Sequence, residues 1–149
     1  MTTKQDIVTA VADVLTAVPL PVKQYPADVA TISSTLPVVI VQEMRARTNT
    51  AAILASGTAV LEWTVEVLAI VAWGRTVYPS ADSAANDILA NDYEQTIVSA
   101  LLDAQLPNAV QNQRIMSTVG EYQWMATNNK LDAVWAVQVL LPVEQIIEL

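Results

Sequence analysis

Between Val60 and Trp73 the chain reads VLEWTVEVLAIVAW, without glycine or proline. Its odd positions are all apolar: Leu61, Trp63, Val65, Val67, Ala69, Val71 and Trp73. Its even positions begin polar (Glu62, Thr64, Glu66) and then turn apolar (Leu68, Ile70, Ala72). Alternation with period two predicts a half-buried β-strand, because successive side chains of a strand point to opposite faces. At about 3.3 Å per residue it reaches roughly 46 Å, well past the usual five or six residues. So long a strand needs a paired neighbour along most of its length. The change midway predicts an exposed first half and a second half covered on both faces. A helix covers one of those faces, and another subunit meets the other at Leu68 and Ile70.

A chain of 149 residues with 53% apolar content is predicted to form a single domain over residues 1–149. The longest apolar run, Val65 to Trp73, is already interrupted by Glu66, so no membrane-spanning helix is expected. The N-terminus MTTKQD has no basic region followed by an apolar block, and no secretory signal is expected. Cysteine and histidine are both absent, which removes disulfides, thiol nucleophiles, the usual zinc sites and imidazole bases. A net charge of −8 argues against a protein that grips nucleic acid by neutralising phosphates. An acidic surface can nevertheless line a passage through which DNA slides without sticking.

Thr3 is the expected cap of a first helix over Lys4 to Ala17, with Asp6 in a capping-box position. Ile7, Val11, Val14, Leu15 and Val18 mark its apolar face, and Pro19 and Pro21 end it. Leu20 to Thr35 reads as extended with turns, and Leu36 to Glu43 as a buried strand with Pro37 at its start or on an edge. Met44 to Thr58 reads as a loop far longer than a hairpin needs. It is either a loose hairpin tip or a segment that orders against a neighbouring subunit, with Ile53 and Leu54 in its apolar patch. After a turn over Gly74 to Pro79, Ser80 or Ser83 caps a second helix, about Ala81 to Ala104. There Ala81, Ala85, Leu89, Tyr93, Ile97 and Leu101 form an unbroken apolar series, with Asn86, Asn91, Glu94 and Asp103 toward solvent. Arg114 to Val119 reads as a short strand, Tyr122 to Lys130 as a turn, and Leu131 to Leu141 as an alternating strand before a short mixed tail. The expected fold is α+β: an antiparallel sheet with two helices packed on one face. Its order is α-β-β-α-β-β, with the long loop between the first two strands.

Signals of catalysis are thin. With only Gly57, Gly74 and Gly120 there is no glycine-rich phosphate cradle, and no cofactor is expected. Glu62 and Glu66 share a strand face, about 13 Å apart, too far for a glycosidase pair at about 5–10 Å. They read as solvated strand residues, with an oligomer contact or an acidic channel lining as the functional alternative. Arg45 and Arg47 read either as a solvated loop end or as salt-bridge partners of an acidic neighbouring subunit. Trp63, Trp73 and Trp135 fall on apolar strand faces and are expected in the core, whereas Trp124 lies in a polar stretch and marks a contact surface.

The succession of an N-terminal helix, a VVIV strand, a long loop, VLEWTVEVLAIVAWG, a helix from ADSAANDI and a closing AVWAVQVLLPVE resembles the tail terminator (tail completion) proteins of long-tailed bacteriophages. The resemblance implies a virion protein, assembled in the bacterial host cytoplasm and lodged at the head-proximal end of the tail. It implies a homo-oligomeric ring, usually a hexamer, joining the tail tube protein to the head connector while DNA passes through the lumen without sequence-specific binding. It implies no enzymatic activity, no cofactor and no membrane. Two alternatives stand beside it: another neck or tail ring component, such as a head-closure or tube protein, and a small-molecule-binding α+β domain.

Overall fold

The computed structural model describes residues 3–17, 22–24, 36–44, 48–73, 81–105, 109–111, 114–125 and 131–149. Its elements are α1 (Lys4–Thr16), β1 (Val22–Gln24), β2 (Val38–Glu43), β3 (Thr50–Ala55), β4 (Thr58–Trp73), α2 (Ala81–Asp103), β5 (Ala109–Gln111), β6 (Met116–Met125) and β7 (Leu131–Glu148). The class is α+β, with the strands in one sheet and all neighbours antiparallel except β1 and β2. The simple α-β-β-α-β-β order is corrected by three strands that composition hides. Two of them, β1 and β5, have three residues each.

The third is β3, inside the expected long loop. Thr50–Ala55 folds back on β4, with Thr50 opposite Glu62 and Ala55 opposite Thr58. Gly57, with φ +83°, supplies the left-handed residue that the turn requires. Three of the six strand residues are alanine, a weak β former, so pairing with β4 rather than local propensity makes this strand.

The spine of the sheet is β4 against β7, running from Thr58 opposite Glu148 to Trp73 opposite Val134. Strand β7 continues beyond Leu141, straight through Pro142. Pro142 lies in the gap between Leu140, which pairs with β6, and Val143, which pairs with β5. A missing N–H is tolerated in such a gap, which is why a proline sits within an inner strand. Strand β6 is also longer than expected, reaching Met125 and taking in part of the predicted turn.

Residues directly opposite on paired strands share a face, so Val39, Ala69 and Val137 align on one side and Ile40, Leu68 and Gln138 on the other. The first side carries the larger core. There Val41, Trp63, Val65, Val67, Val139 and Leu141 share a buried cluster with Ile7, Val11 and Leu15 of α1 and Ile97 and Leu101 of α2. Burying each such aliphatic side chain contributes about 1.5–3 kcal/mol. The second side holds a smaller buried cluster of Val38, Ile40, Leu68, Ile70, Val134 and Ala136. Leu68 and Ile70 are thus buried by the chain itself, and no neighbouring subunit is needed to cover them.

Helix α1 has the expected cap. The Asp6 amide donates to the Thr3 hydroxyl at 3.1 Å, and the Thr3 amide donates to Asp6 Oδ2 at 2.8 Å. Thr3, through its backbone first and its side chain second, holds the Asp6 carboxyl below the usual carboxylate range. A carboxyl depressed in the folded state stabilises above its unfolded pKa and loses that contribution as pH falls through the folded one. Helix α1 is therefore expected to fray as pH drops below about 4, and Asp6→Asn to remove that dependence. Amide exchange of residues 4–8 across that range checks it, and an identical profile in the variant would count against the cap.

Helix α2 spans nearly the predicted range, with Ile97 and Leu101 buried and Leu89 and Tyr93 half-buried. It begins at Ala81, which places Ser83 inside the helix, while Ser80 lies outside the described residues. Its outer surface is not purely polar, because Ile88 and Leu102 stand exposed beside Asn91 and Asp103.

Candidate functional site

Two surfaces set this chain apart from a plain sheet-and-helix domain. One is the arm made by β3 and the start of β4. All six residues of β3 are exposed, with Ile53 at 76% and Leu54 at 58%. The closing residues of β7 form the third strand of this arm, since Thr58 to Leu61 pair with Gln145 to Glu148. The Leu149 amide donates to the Gly57 carbonyl at 2.9 Å, tying the last residue to the hairpin turn.

At 1.5 Å per residue the 13 residues of α1 cover about 20 Å and the 23 residues of α2 about 35 Å, whereas the 16 residues of β4 span about 53 Å, so neither helix covers the strand along its whole length. The helix-covered body gives way to the arm at Trp63. That residue is buried, its indole N–H donates to Gln145 Oε1 at 3.1 Å, and Lys4 Nζ sits 5.2 Å from the ring centroid. Lys4 also forms an ion pair with Glu43 of β2. The first turn of α1 is thus fastened to the base of the arm.

The other surface is the sheet face opposite the larger core. Glu62 and Glu144 are direct cross-strand partners there, and both are exposed. Glu148 lies further out on the same face, opposite Thr58. Like charges placed directly opposite each other destabilise a sheet by a few tenths of a kcal/mol or more, so this acidic row works against folding. A shallow polar cleft at the base of the arm is lined by Thr48, Thr50, Glu62, Thr64, Pro142 and Glu144.

Glu66 behaves differently from Glu62, and the solvated reading of the pair fails for it. It is 3% exposed. Its Oε1 accepts from Gln42 Nε2 at 2.6 Å, and its Oε2 accepts from Gln138 Nε2 at 2.7 Å and from the Tyr122 hydroxyl at 3.2 Å. The donors come from β2, β7 and β6, so one carboxylate ties together four strands. Gln42 Oε1, also buried, has no hydrogen-bond partner among the described residues. No local signal in the sequence separates Glu66 from Glu62: both are glutamates on the same strand face, and only the flanking strands distinguish them.

The remaining sequence candidates divide plainly. Ile53 and Leu54 stand exposed on the arm. Arg45 and Arg47 lie outside the described residues. The backbone of Trp124 is in β6, opposite Asp132, and its side chain is not described. Of the tryptophans expected in the core, Trp63 is buried and Trp135 half-buried, whereas the side chain of Trp73 is not described. Among the described residues no group of three or more acidic side chains is placed to hold a metal ion. Among the described residues no helix is long and apolar enough to cross a membrane. No protein-family model matches the chain, and no curated protein matches it.

Proposed function

We propose that this chain is the subunit of a non-enzymatic ring that caps the head-proximal end of a phage tail tube and joins it to the head connector. The observation that carries this reading is the acidic row of Glu62, Glu144 and Glu148 on the sheet face opposite the main core, beside a strand β3 whose six exposed residues carry no charge. In the ring both helices lie on the outer side of the sheet, and the acidic face turns to the lumen. Carboxylates there repel DNA phosphates, so the genome passes without adhering. The arm supplies contact between copies, most simply in a hexamer, and the ring needs no cofactor. The sequence resemblance implies the same reading, with the working protein in the virion tail after assembly in the host cytoplasm.

The test uses purified tail tubes lacking their terminal ring. Adding the chain is expected to place an annulus at one end of each tube by negative-stain microscopy and to restore joining to filled heads. Tubes that remain uncapped at saturating protein would overturn the proposal.

A further inference from the structure

We infer that the cleft at the base of the arm binds a hard divalent cation of the calcium type, held by Glu62 and Glu144 and completed by the buried hydroxyl of Thr64. The inference concerns the single chain and stands apart from the ring reading.

The cleft forms where β4 changes partner. Glu43 of β2 pairs with Val65 and Thr50 of β3 pairs with Glu62, so Thr64 lies between the two neighbouring strands. On the other side of β4, Glu144 of β7 is opposite Glu62 and Pro142 is opposite Thr64. These four residues share the face opposite the larger core, and all four line the cleft. Pro142 has no N–H to offer, and no lysine or arginine lines the cleft. The polar side chains that line it are two carboxylates and the threonines at 48, 50 and 64, all of which carry oxygen that can bind a cation.

Two independent observations point to that ligand. Glu62 and Glu144 face each other directly, and neither carboxylate has a hydrogen bond or ion pair among the described residues. Opposed residues of an antiparallel pair have Cβ atoms about 4.5–5.5 Å apart, so both carboxylates can reach one ion. Thr64 supplies the second observation. It is 3% exposed, and its carbonyl accepts from the Met44 amide at 3.0 Å. Its hydroxyl has no hydrogen bond among the described residues. A buried hydroxyl without a partner costs stability, as does a like-charged pair across a sheet. One cation in the cleft relieves both.

The donors fix the class of ion. The sequence has no histidine or cysteine, so only hard oxygen ligands are on offer, which suit calcium or magnesium rather than zinc or copper. Magnesium demands near-ideal octahedral geometry, whereas calcium accepts about six to eight oxygens in irregular arrangements, water included. With only two carboxylates the expected Kd is about 0.1–1 mM. Glu148, opposite Thr58, lies outside the cleft and keeps its charge when the ion is bound.

The test follows thermal unfolding of the full chain in CaCl2 at about ten times the upper Kd, against NaCl of equal ionic strength. It compares the parent, the double variant Glu62→Gln with Glu144→Gln, and Thr64→Val. Calcium is expected to raise the Tm of the parent by about 5 °C more than NaCl does. The double variant loses the like-charged pair, so without calcium it should melt no lower than the parent, and it should show no calcium shift. Thr64→Val keeps the shape and both carboxylates; binding about tenfold weaker should leave a shift of about 1–2 °C. A parent stabilised no more by CaCl2 than by NaCl would overturn the site, as would a double variant that keeps the shift. A Thr64→Val shift equal to that of the parent would also overturn it, by reducing the site to an exposed acidic pair.

Discussion

Glu66→Leu lowers folding stability by about 3 kcal/mol, seen as a reduced urea midpoint with an unchanged slope. Leucine is close to glutamate in size, so the loss comes from hydrogen bonding rather than from a cavity. The substitution strips Gln42 and Gln138 of their carboxylate and removes the acceptor that the Tyr122 hydroxyl reaches. Hydrogen bonds to a charged group contribute about 1.5–3 kcal/mol each, and a buried donor left unmatched costs about 1–3 kcal/mol. Side-chain rearrangement toward water keeps the total well below the sum. Glu66→Gln is milder, because the Gln42 carboxamide can turn its unpartnered Oε1 toward the new amide. Adding Gln42→Leu to Glu66→Leu should recover about 1 kcal/mol, since a buried amide then no longer faces an apolar partner. A loss below about 1 kcal/mol for Glu66→Leu would show that the carboxylate does not bind the strands together.

Trp63→Ala costs about 3–5 kcal/mol, the usual range for emptying a buried indole site. The ring is 3% exposed, fills the larger core between Leu61 and Val65, and holds Lys4 above it. Trp63→Phe is milder: it keeps an aromatic ring in place but loses the N–H donated to Gln145 together with the volume of one ring, a change of about 1–3 kcal/mol. Because Trp63 lies where the body gives way to the arm, Trp63→Ala should also speed amide exchange at Thr58 to Leu61 more than at Val67 to Val71. Uniform acceleration along β4 would mean that the arm does not open as a separate unit.

Elements with a strong local signal were legible before the fold was known. Thr3 and Asp6 lie three residues apart and cap the helix that follows, so α1 depends on neighbours in sequence alone. The alternation of Val60 to Trp73 and of Leu131 to Leu141 needs only the two-residue period of a strand, and both segments are strands. Segments whose state depends on distant partners were not legible. Strand β3 is rich in alanine and takes its form from β4. Proline at position 142 argues for a stop, and only the gap between β5 and β6 lets β7 run past it. For the candidate site, the exposure of Ile53 and Leu54 on the edge strand β3 follows from topology. Their apolar character alone would equally suit a buried turn.

Glutamates 62 and 66 mark the division most sharply. Their side chains are identical, they share a face by the period of the strand, and the sequence by itself determined that shared face. Tertiary structure then set Glu62 in solvent opposite Glu144 and enclosed Glu66 among Gln42, Gln138 and Tyr122. The physical reason is that periodicity is a property of one backbone, whereas burial depends on where neighbouring strands end. Residue order settled the faces of the long strand and the acidity of the chain. The lateral extent of the sheet decided which carboxylate became an exposed charge and which became a joint between four strands.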